Sequence, residues 1–107
     1  MTDFNDRERA EEAKFARDED MVFRIQARRN RLLGEWAAGL MNLSAAESDA
    51  YAKSVVQADF EEAGDEDVIR KLLGDLTSAE VDIDEAKVRS KLDEKLIEAR
   101  RALMGEA

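Results

Sequence analysis

Cysteine and histidine are both absent from the sequence. Without cysteine the chain has no disulfide, no thiolate nucleophile and no cysteine-ligated zinc or iron–sulfur site. Without histidine it lacks the commonest general base and the commonest metal ligand, so its hydroxyl side chains have no usual partner to activate them. A glycine-rich phosphate loop is missing as well. We therefore expect no catalytic residues, no metal site and no cofactor, and the chain is not predicted to be an enzyme.

Proline is absent too, and only five of the 107 residues are glycine. Because helix breakers are rare and Ala, Leu, Glu, Lys and Arg are common, helix is favoured almost everywhere. No stretch alternates apolar and polar residues long enough for a strand. No stretch approaches the roughly 20 apolar residues that span a membrane, and the N terminus lacks an apolar signal core. We expect an all-α protein that is neither exported through a signal peptide nor inserted in a bilayer.

The formal charge of −9 opposes binding to nucleic acid or to an anionic membrane. Positive charge is nevertheless concentrated in one short segment that holds four arginines and a single acid. Arg24, Arg28 and Arg31 share one helical face, whereas Arg29 falls on the apolar face of the same helix. This arginine cluster predicts a site for phosphate or for an acidic protein surface. The alternative is that the arginines pair with the chain's own acids, notably those of residues 59–67.

Six carboxylates lie within residues 59–67. Such a run invites comparison with a calcium loop, but it lacks the alternating oxygen ligands before a glycine and the glutamate at the twelfth position. The run is better explained as the solvated end of one helix followed by the start of the next. No metal ligands are predicted here.

Apolar side chains recur at helical spacing in four segments, which predicts a small four-helix bundle. The first core helix is expected to end near Met41, and Gly64 is predicted to end the second helix in a left-handed conformation. The last helix is expected to stop at Gly105. The main residues predicted on the buried faces are Val22, Ile25, Leu32, Leu33, Trp36 and Leu40, then Tyr51, Val55, Val56 and Phe60, then Val68, Ile69, Leu72, Leu73 and Leu76, and finally Val88, Leu92, Leu96, Ala99 and Leu103.

Capping residues mark where the helices begin. Ser44 and Glu47 have the spacing of a capping box at the start of the second helix. Asp65 is predicted to cap the third helix and Asp84 the fourth, although residues 77–80 also match a capping box and offer an alternative start for the fourth.

Residues 1–19 differ from the rest, because Phe4 and Phe15 are their only large apolar side chains after Met1. A helix of this length is marginal in water without tertiary packing. We expect residues 1–19 to form a flexible, partly helical arm, and residues 20–107 to form the four-helix domain.

Two long stretches carry a family resemblance: ARRNRLLGEWAA at residues 27–38 and DFEEAGDEDV at residues 59–68. With FNDRER at residues 4–9 and KFA at residues 14–16, they resemble the zeta subunit, an inhibitor of the alphaproteobacterial F-type ATP synthase. The resemblance extends over nearly the whole chain. It implies a four-helix protein whose mobile N-terminal segment does the inhibiting.

The resemblance further implies how such a protein acts. The N-terminal segment enters the catalytic head at a catalytic interface beside the central rotor, becomes helical and blocks rotation in the hydrolytic direction. The expected partners are the alpha, beta and gamma subunits of the head, and the free chain is expected to be a monomer. Its expected location is the cytoplasm, peripheral at the inner membrane when bound to the synthase.

For an arm that acts in this way, we expect Phe4 and Phe15 to be the apolar anchors. Glu11 departs from the pattern, since an aromatic residue is expected there, and this change removes an anchor. The side chains expected to contact carboxylates of the partner are Arg7, Arg9, Lys14 and Arg17.

Two other functions remain open from the residues alone. The arginine cluster suits a small-ligand module, for example one that binds a nucleotide. The helical arm also suits an adaptor that binds some other protein.

Overall fold

The computed structural model describes the backbone of residues 2–61 and 64–105, and the side chains of residues 19–59 and 64–105. Four helices follow one another: α1 (Thr2–Leu40), α2 (Ala45–Glu61), α3 (Asp65–Ser78) and α4 (Glu85–Leu103). The described backbone contains no strand. The prediction of an all-α, four-helix protein is therefore confirmed.

Helix α1 contains both the predicted arm and the first core helix in 39 residues. The side chains of residues 1–18 lie outside the described part, and so do the contacts predicted for the arm. The division of the chain at residue 19 accordingly stays a prediction.

Helix α1 is the central element, because it contacts all three other helices and packs most extensively on α2 and α4. Its Leu33 is fully buried, as is Val55 from α2. Helix α3 contributes Leu72 and Leu76, and α4 contributes Val88. Full burial of each such side chain contributes about 1.5–3 kcal/mol. The apolar spacing thus identified the core of every helix.

Two residues of the predicted buried stripe lie at the surface instead. Val22 is 53% exposed and Leu40 is 40% exposed. Val22 precedes Ile25, the first buried residue among the described part of α1, so the other helices leave its face uncovered at that level. Leu40 is the last residue of α1, where the chain turns away. Helical spacing identifies a face, but not how far along the helix its neighbours extend.

The predicted caps of α2 and α4 are confirmed. The Ser44 amide donates to Glu47 Oε1 at 3.0 Å, and the Glu47 amide donates to Ser44 Oγ at 3.2 Å. At the start of α4, Asp84 Oδ1 accepts from the Lys87 amide at 2.9 Å. Each cap satisfies backbone amides that the first turn of a helix leaves without partners.

The predicted cap of α3 was wrong. Gly64 occupies the N-cap position of α3, with φ of 134°. Residues 62 and 63, on which its predicted role at the end of α2 depends, lie outside the described residues. Asp65 is the first helical residue rather than the cap, and its carboxylate lies beside Arg29 instead. Because α3 continues through Ser78, the alternative start of α4 at residues 77–80 is excluded in favour of Asp84.

Helices α1 and α2 approach most tightly at Gly34. A Cβ atom at this position would lie 2.8 Å from Ala52 Cα and 3.2 Å from Val55 Cγ2. Backbone atoms cannot swing aside as a flexible side chain can, so the helix spacing here requires glycine.

We predict that Gly34→Ala destabilises the protein by about 1–2 kcal/mol. Overpacking costs about 1–3 kcal/mol, and the better helix propensity of alanine recovers up to about 1 kcal/mol. Gly74→Ala is the matched control, because a Cβ there meets nothing within 4 Å. It should stabilise α3 by about 0.5–1 kcal/mol. Urea unfolding followed by circular dichroism measures both; equal effects of the two substitutions would contradict this account of Gly34.

Candidate functional site

Three of the predicted arginines border a groove between α1 and α2, which we call the α1–α2 groove. Its volume is about 470 Å³. The floor is apolar and the rim is basic, and no acidic side chain lines it among the residues that the structure describes. The lining residues are Phe23, Ala27, Val56 and Leu103 on the floor and Arg24, Arg28, Arg31 and Lys53 on the rim.

Lys53 is the rim residue that sequence reasoning missed. It is the sole base in an acidic stretch of the sequence and lies 22 positions after Arg31. Only the packing of α2 on α1 places it at the same groove, so no local pattern signals its role. Leu103, near the end of α4, reaches the groove in the same way.

Arg31 is held by two acids. Its Nη2 donates to Asp49 Oδ1 at 2.7 Å, and its Nε lies 3.1 Å from Glu35 Oε1. Lys53 Nζ lies 3.1 Å from the other oxygen of Asp49. The hydrogen bond from Arg31 lowers the pKa of Asp49, and the bond from Arg31 to Asp49 raises the pKa of the arginine. Asp49 and Arg31 are therefore both charged at neutral pH.

The other two rim arginines are less engaged. Arg24 Nε lies 3.1 Å from Asp20 Oδ2, and both side chains are mostly exposed. Arg28 is exposed and forms no ion pair with any side chain that the structure describes. Exposed pairs contribute only about 0–1 kcal/mol, because water competes for both charges. Arg24 and Arg28 therefore remain available to an external anion.

Arg29 is separated from this surface. Its side chain is only 3% exposed, and Nη2 lies 3.0 Å from Asp65 Oδ1, although this nitrogen has no well-aligned hydrogen bond. Its Nε donates to Asn30 Oδ1 at 3.1 Å, and Asn30 Nδ2 donates to Asp59 Oδ2 at 3.0 Å. For Arg29, the alternative of pairing with residues 59–67 is confirmed. Arg29 thus joins α1 to the start of α3 through Asp65, and to the end of α2 through Asn30 and Asp59.

The structure describes no metal site and no membrane helix, and it does not describe the side chains predicted to make the contacts of the arm. Among the described side chains, no group of three or more acids is placed to hold a metal ion. None of the described helices is long and apolar enough to cross a membrane. The candidate arm contacts lie outside the described side chains; they are Phe4, Arg7, Arg9, Lys14, Phe15 and Arg17.

Comparison with known proteins resolves the family. The family model described as ATPase inhibitor subunit zeta matches residues 1–102. The chain belongs to this family. A zeta-family member is an inhibitor subunit, so the role of this chain is inhibition of an ATPase. No curated protein matches the chain.

A solved structure supports the fold of this zeta-family chain. The chain is similar to a protein whose structure was determined by solution NMR, with 48% sequence identity and a TM-score of 0.70. The likeness covers 81% of this chain and 99% of the other. The identity and the TM-score together show that the two chains share a fold.

We predict that Asp65→Asn destabilises the protein by about 2 kcal/mol. It leaves the buried Arg29 charge without its anionic partner, and an unpaired buried charge is costly. Glu66→Gln is the matched control, since it neutralises an acid in the same first turn whose pair with Arg89 is exposed. Its unfolding midpoint should stay close to that of the unmodified chain, because water screens an exposed pair. Equal unfolding midpoints for the two variants in urea would contradict the role assigned to Arg29.

We predict that stability is nearly constant between pH 6.5 and 8 and falls below about pH 4.5. Hydrogen bonds lower the pKa of Glu47, Asp49, Glu66 and Glu94 in the folded chain. As the pH falls, the unfolded chain therefore takes up protons first, near pKa values of about 4. The stabilisation from these four carboxylates is present at neutral pH. It is lost as the pH falls through their pKa values in the folded chain. Urea midpoints at several pH values test this, and a steep change above pH 6 would contradict it.

Proposed function

We propose that this chain inhibits ATP hydrolysis by the F-type ATP synthase by inserting residues 1–19 into the catalytic head. The observation that carries the proposal is the family match, which begins at residue 1 and so includes the arm. In this mechanism the arm enters a catalytic interface formed by alpha and beta subunits beside the gamma rotor. It acts as a mechanical block to rotation in the hydrolytic direction, and no bond is made or broken by the inhibitor.

A blocking element must be stiff and must be anchored. Helix α1 supports both requirements, because one helix contains the arm and the most extensively packed segment of the core. Ile25 and Leu33 are buried in that segment. At 1.5 Å per residue, a fully helical arm of residues 2–19 reaches roughly 27 Å. A load on the arm would pass directly into the four-helix domain.

The arm has few apolar side chains, and their spacing suits one face. Phe4 and Phe15 are eleven positions apart, which is close to three helical turns. On a helical arm they would therefore point in nearly the same direction and could anchor it together. The bases of the arm would pair with carboxylates of the head; these are Arg7, Arg9, Lys14 and Arg17.

This function also determines where the protein works. The inhibitor would be a cytoplasmic monomer that becomes peripheral at the inner membrane when it binds the synthase. A second candidate function is binding of a small anionic ligand such as a nucleotide. The α1–α2 groove favours it in one respect, since its volume of about 470 Å³ lies in the range of small-molecule sites.

We predict that Phe4→Ala combined with Phe15→Ala weakens inhibition about 100-fold or more. Each buried phenylalanine contributes about 1.5–3 kcal/mol, and every 1.4 kcal/mol is a factor of ten in affinity. The measurement is ATP hydrolysis by the catalytic head from the same organism, titrated with the full-length chain. Ile97→Ala, at an exposed apolar position of α4, should inhibit like the unmodified chain.

Deleting residues 1–19 is the stronger version of the same test. It should abolish inhibition, while circular dichroism should show that the remaining helices stay folded. Full inhibition by the shortened chain would refute the arm mechanism. Loss of activity in the Ile97→Ala control would show that the assay reports general damage rather than arm contacts.

A further inference from the structure

We propose that the α1–α2 groove is a second docking surface, which binds an acidic amphipathic helix of the catalytic head. An apolar side chain of that helix would sit on the groove floor, and its carboxylates would meet the basic rim. This inference rests on the proposed function and adds a contact outside the arm. It assigns to the groove a protein partner rather than a small ligand.

Charge is the first argument. The whole chain has a formal charge of −9, yet the groove is lined by four cations and, among the described residues, by no acid. A local field opposite in sign to the net charge selects for an acidic partner and repels a basic one. Arg28 has no ion pair with a described side chain, and the neighbouring pairs of Arg24 and Lys53 are exposed. Arg24, Arg28 and Lys53 can therefore pair with carboxylates of a partner, whereas Arg31 stays bound to Asp49 and Glu35.

The shape and polarity of the groove favour a helix over a small molecule. Small-molecule sites usually enclose most of their ligand, whereas this groove is wide open to solvent. Its floor is a strip of apolar surface formed by Val56, Leu103, Ala27 and Phe23. In helix-in-groove recognition, an amphipathic helix lays its apolar face into a hydrophobic groove. The α1–α2 groove offers such an apolar strip with charged borders. The complementary ligand is a helix with an apolar stripe flanked by Asp or Glu.

Position along α1 supports the same partner. Phe23 follows the end of the arm at residue 19 by four positions, which is about 6 Å along a helix. Val22, at the junction, is 53% exposed, and Phe23 is 51% exposed. Two exposed apolar side chains therefore lie just after the end of the arm, and one of them, Phe23, lines the groove. A protein that holds the arm comes within reach of the groove without disturbing the core.

The test compares two charge reversals in the full-length chain, Arg28→Glu in the groove and Arg70→Glu on α3. Both change the net charge equally, and Arg70 has a side chain that is 76% exposed. Helix α3 contributes no residue to the groove lining. In the hydrolysis assay at low salt, Arg28→Glu should raise the concentration for half-inhibition about tenfold. Maximal inhibition should be unchanged, because the arm is intact, and the difference should shrink at high salt.

A companion titration distinguishes the small-ligand alternative. ATP is added to the isotope-labelled full-length chain, and the amide signals of Arg28 and Val56 are followed by NMR. If the groove binds a protein helix, ATP should cause no saturable shift of these amide signals. The comparison is made at ATP concentrations that leave inhibition unaffected. Saturable shifts at these residues, together with normal inhibition by Arg28→Glu, would overturn the proposal in favour of a ligand site.

The other outcomes are also decisive. If the unmodified chain inhibits and Arg28→Glu inhibits equally well, the docking surface is refuted while the arm mechanism stands. If Arg70→Glu weakens inhibition as much as Arg28→Glu, the effect belongs to net charge and the groove is again refuted. If the unmodified chain does not inhibit at all, the proposed function fails and the docking surface fails with it.

Discussion

The close approach of α1 and α2 at Gly34 is the constraint on which the rest of the structure depends. Only a residue without a side chain permits this spacing, because a Cβ would lie 2.8 Å from Ala52 Cα. The same spacing sets the width of the α1–α2 groove, since Arg31 and Lys53 face it from the two helices. It also fixes the helix that carries the arm. One backbone contact thus connects the stability of the domain to both surfaces proposed to bind the partner.

Helix α1 has a structural role on one face, and our proposals give it binding roles on the opposite face and at its N-terminal end. Leu33 faces the core, while Arg24, Arg28 and Arg31 occupy the outer face at the groove. Between these faces lies Arg29, whose buried charge ties α1 to α3. A buried ion pair is a poor source of net stability, but it penalises any packing that separates its members. Such a tie would hold α1 in position if its far end binds another protein, as we propose.

Local rules predicted most of the fold, since helix propensity, apolar spacing and caps such as Ser44 each depend on residues near in sequence. The failures have tertiary causes. Asp65 was expected to cap α3, but its carboxylate lies beside Arg29 instead. Val22 has core spacing, yet no neighbour covers it. Lys53 joins the arginine cluster only through the packing of α2 on α1. The family resemblance supplied the inhibitor role, which no composition or spacing in the chain could have revealed.

The central claim is that residues 1–19 insert beside the rotor, and photo-cross-linking from the arm tests it most directly. Phe15 is replaced by benzoylphenylalanine in the full-length chain, which is bound to the catalytic head during ATP hydrolysis and then irradiated. A second chain carries the same probe at Ile97, an exposed position on α4. The account predicts that position 15 cross-links to a catalytic subunit or to the rotor at their interface, while position 97 does not. Adducts from position 15 confined to the outer surface of the head, with hydrolysis fully inhibited, would contradict insertion.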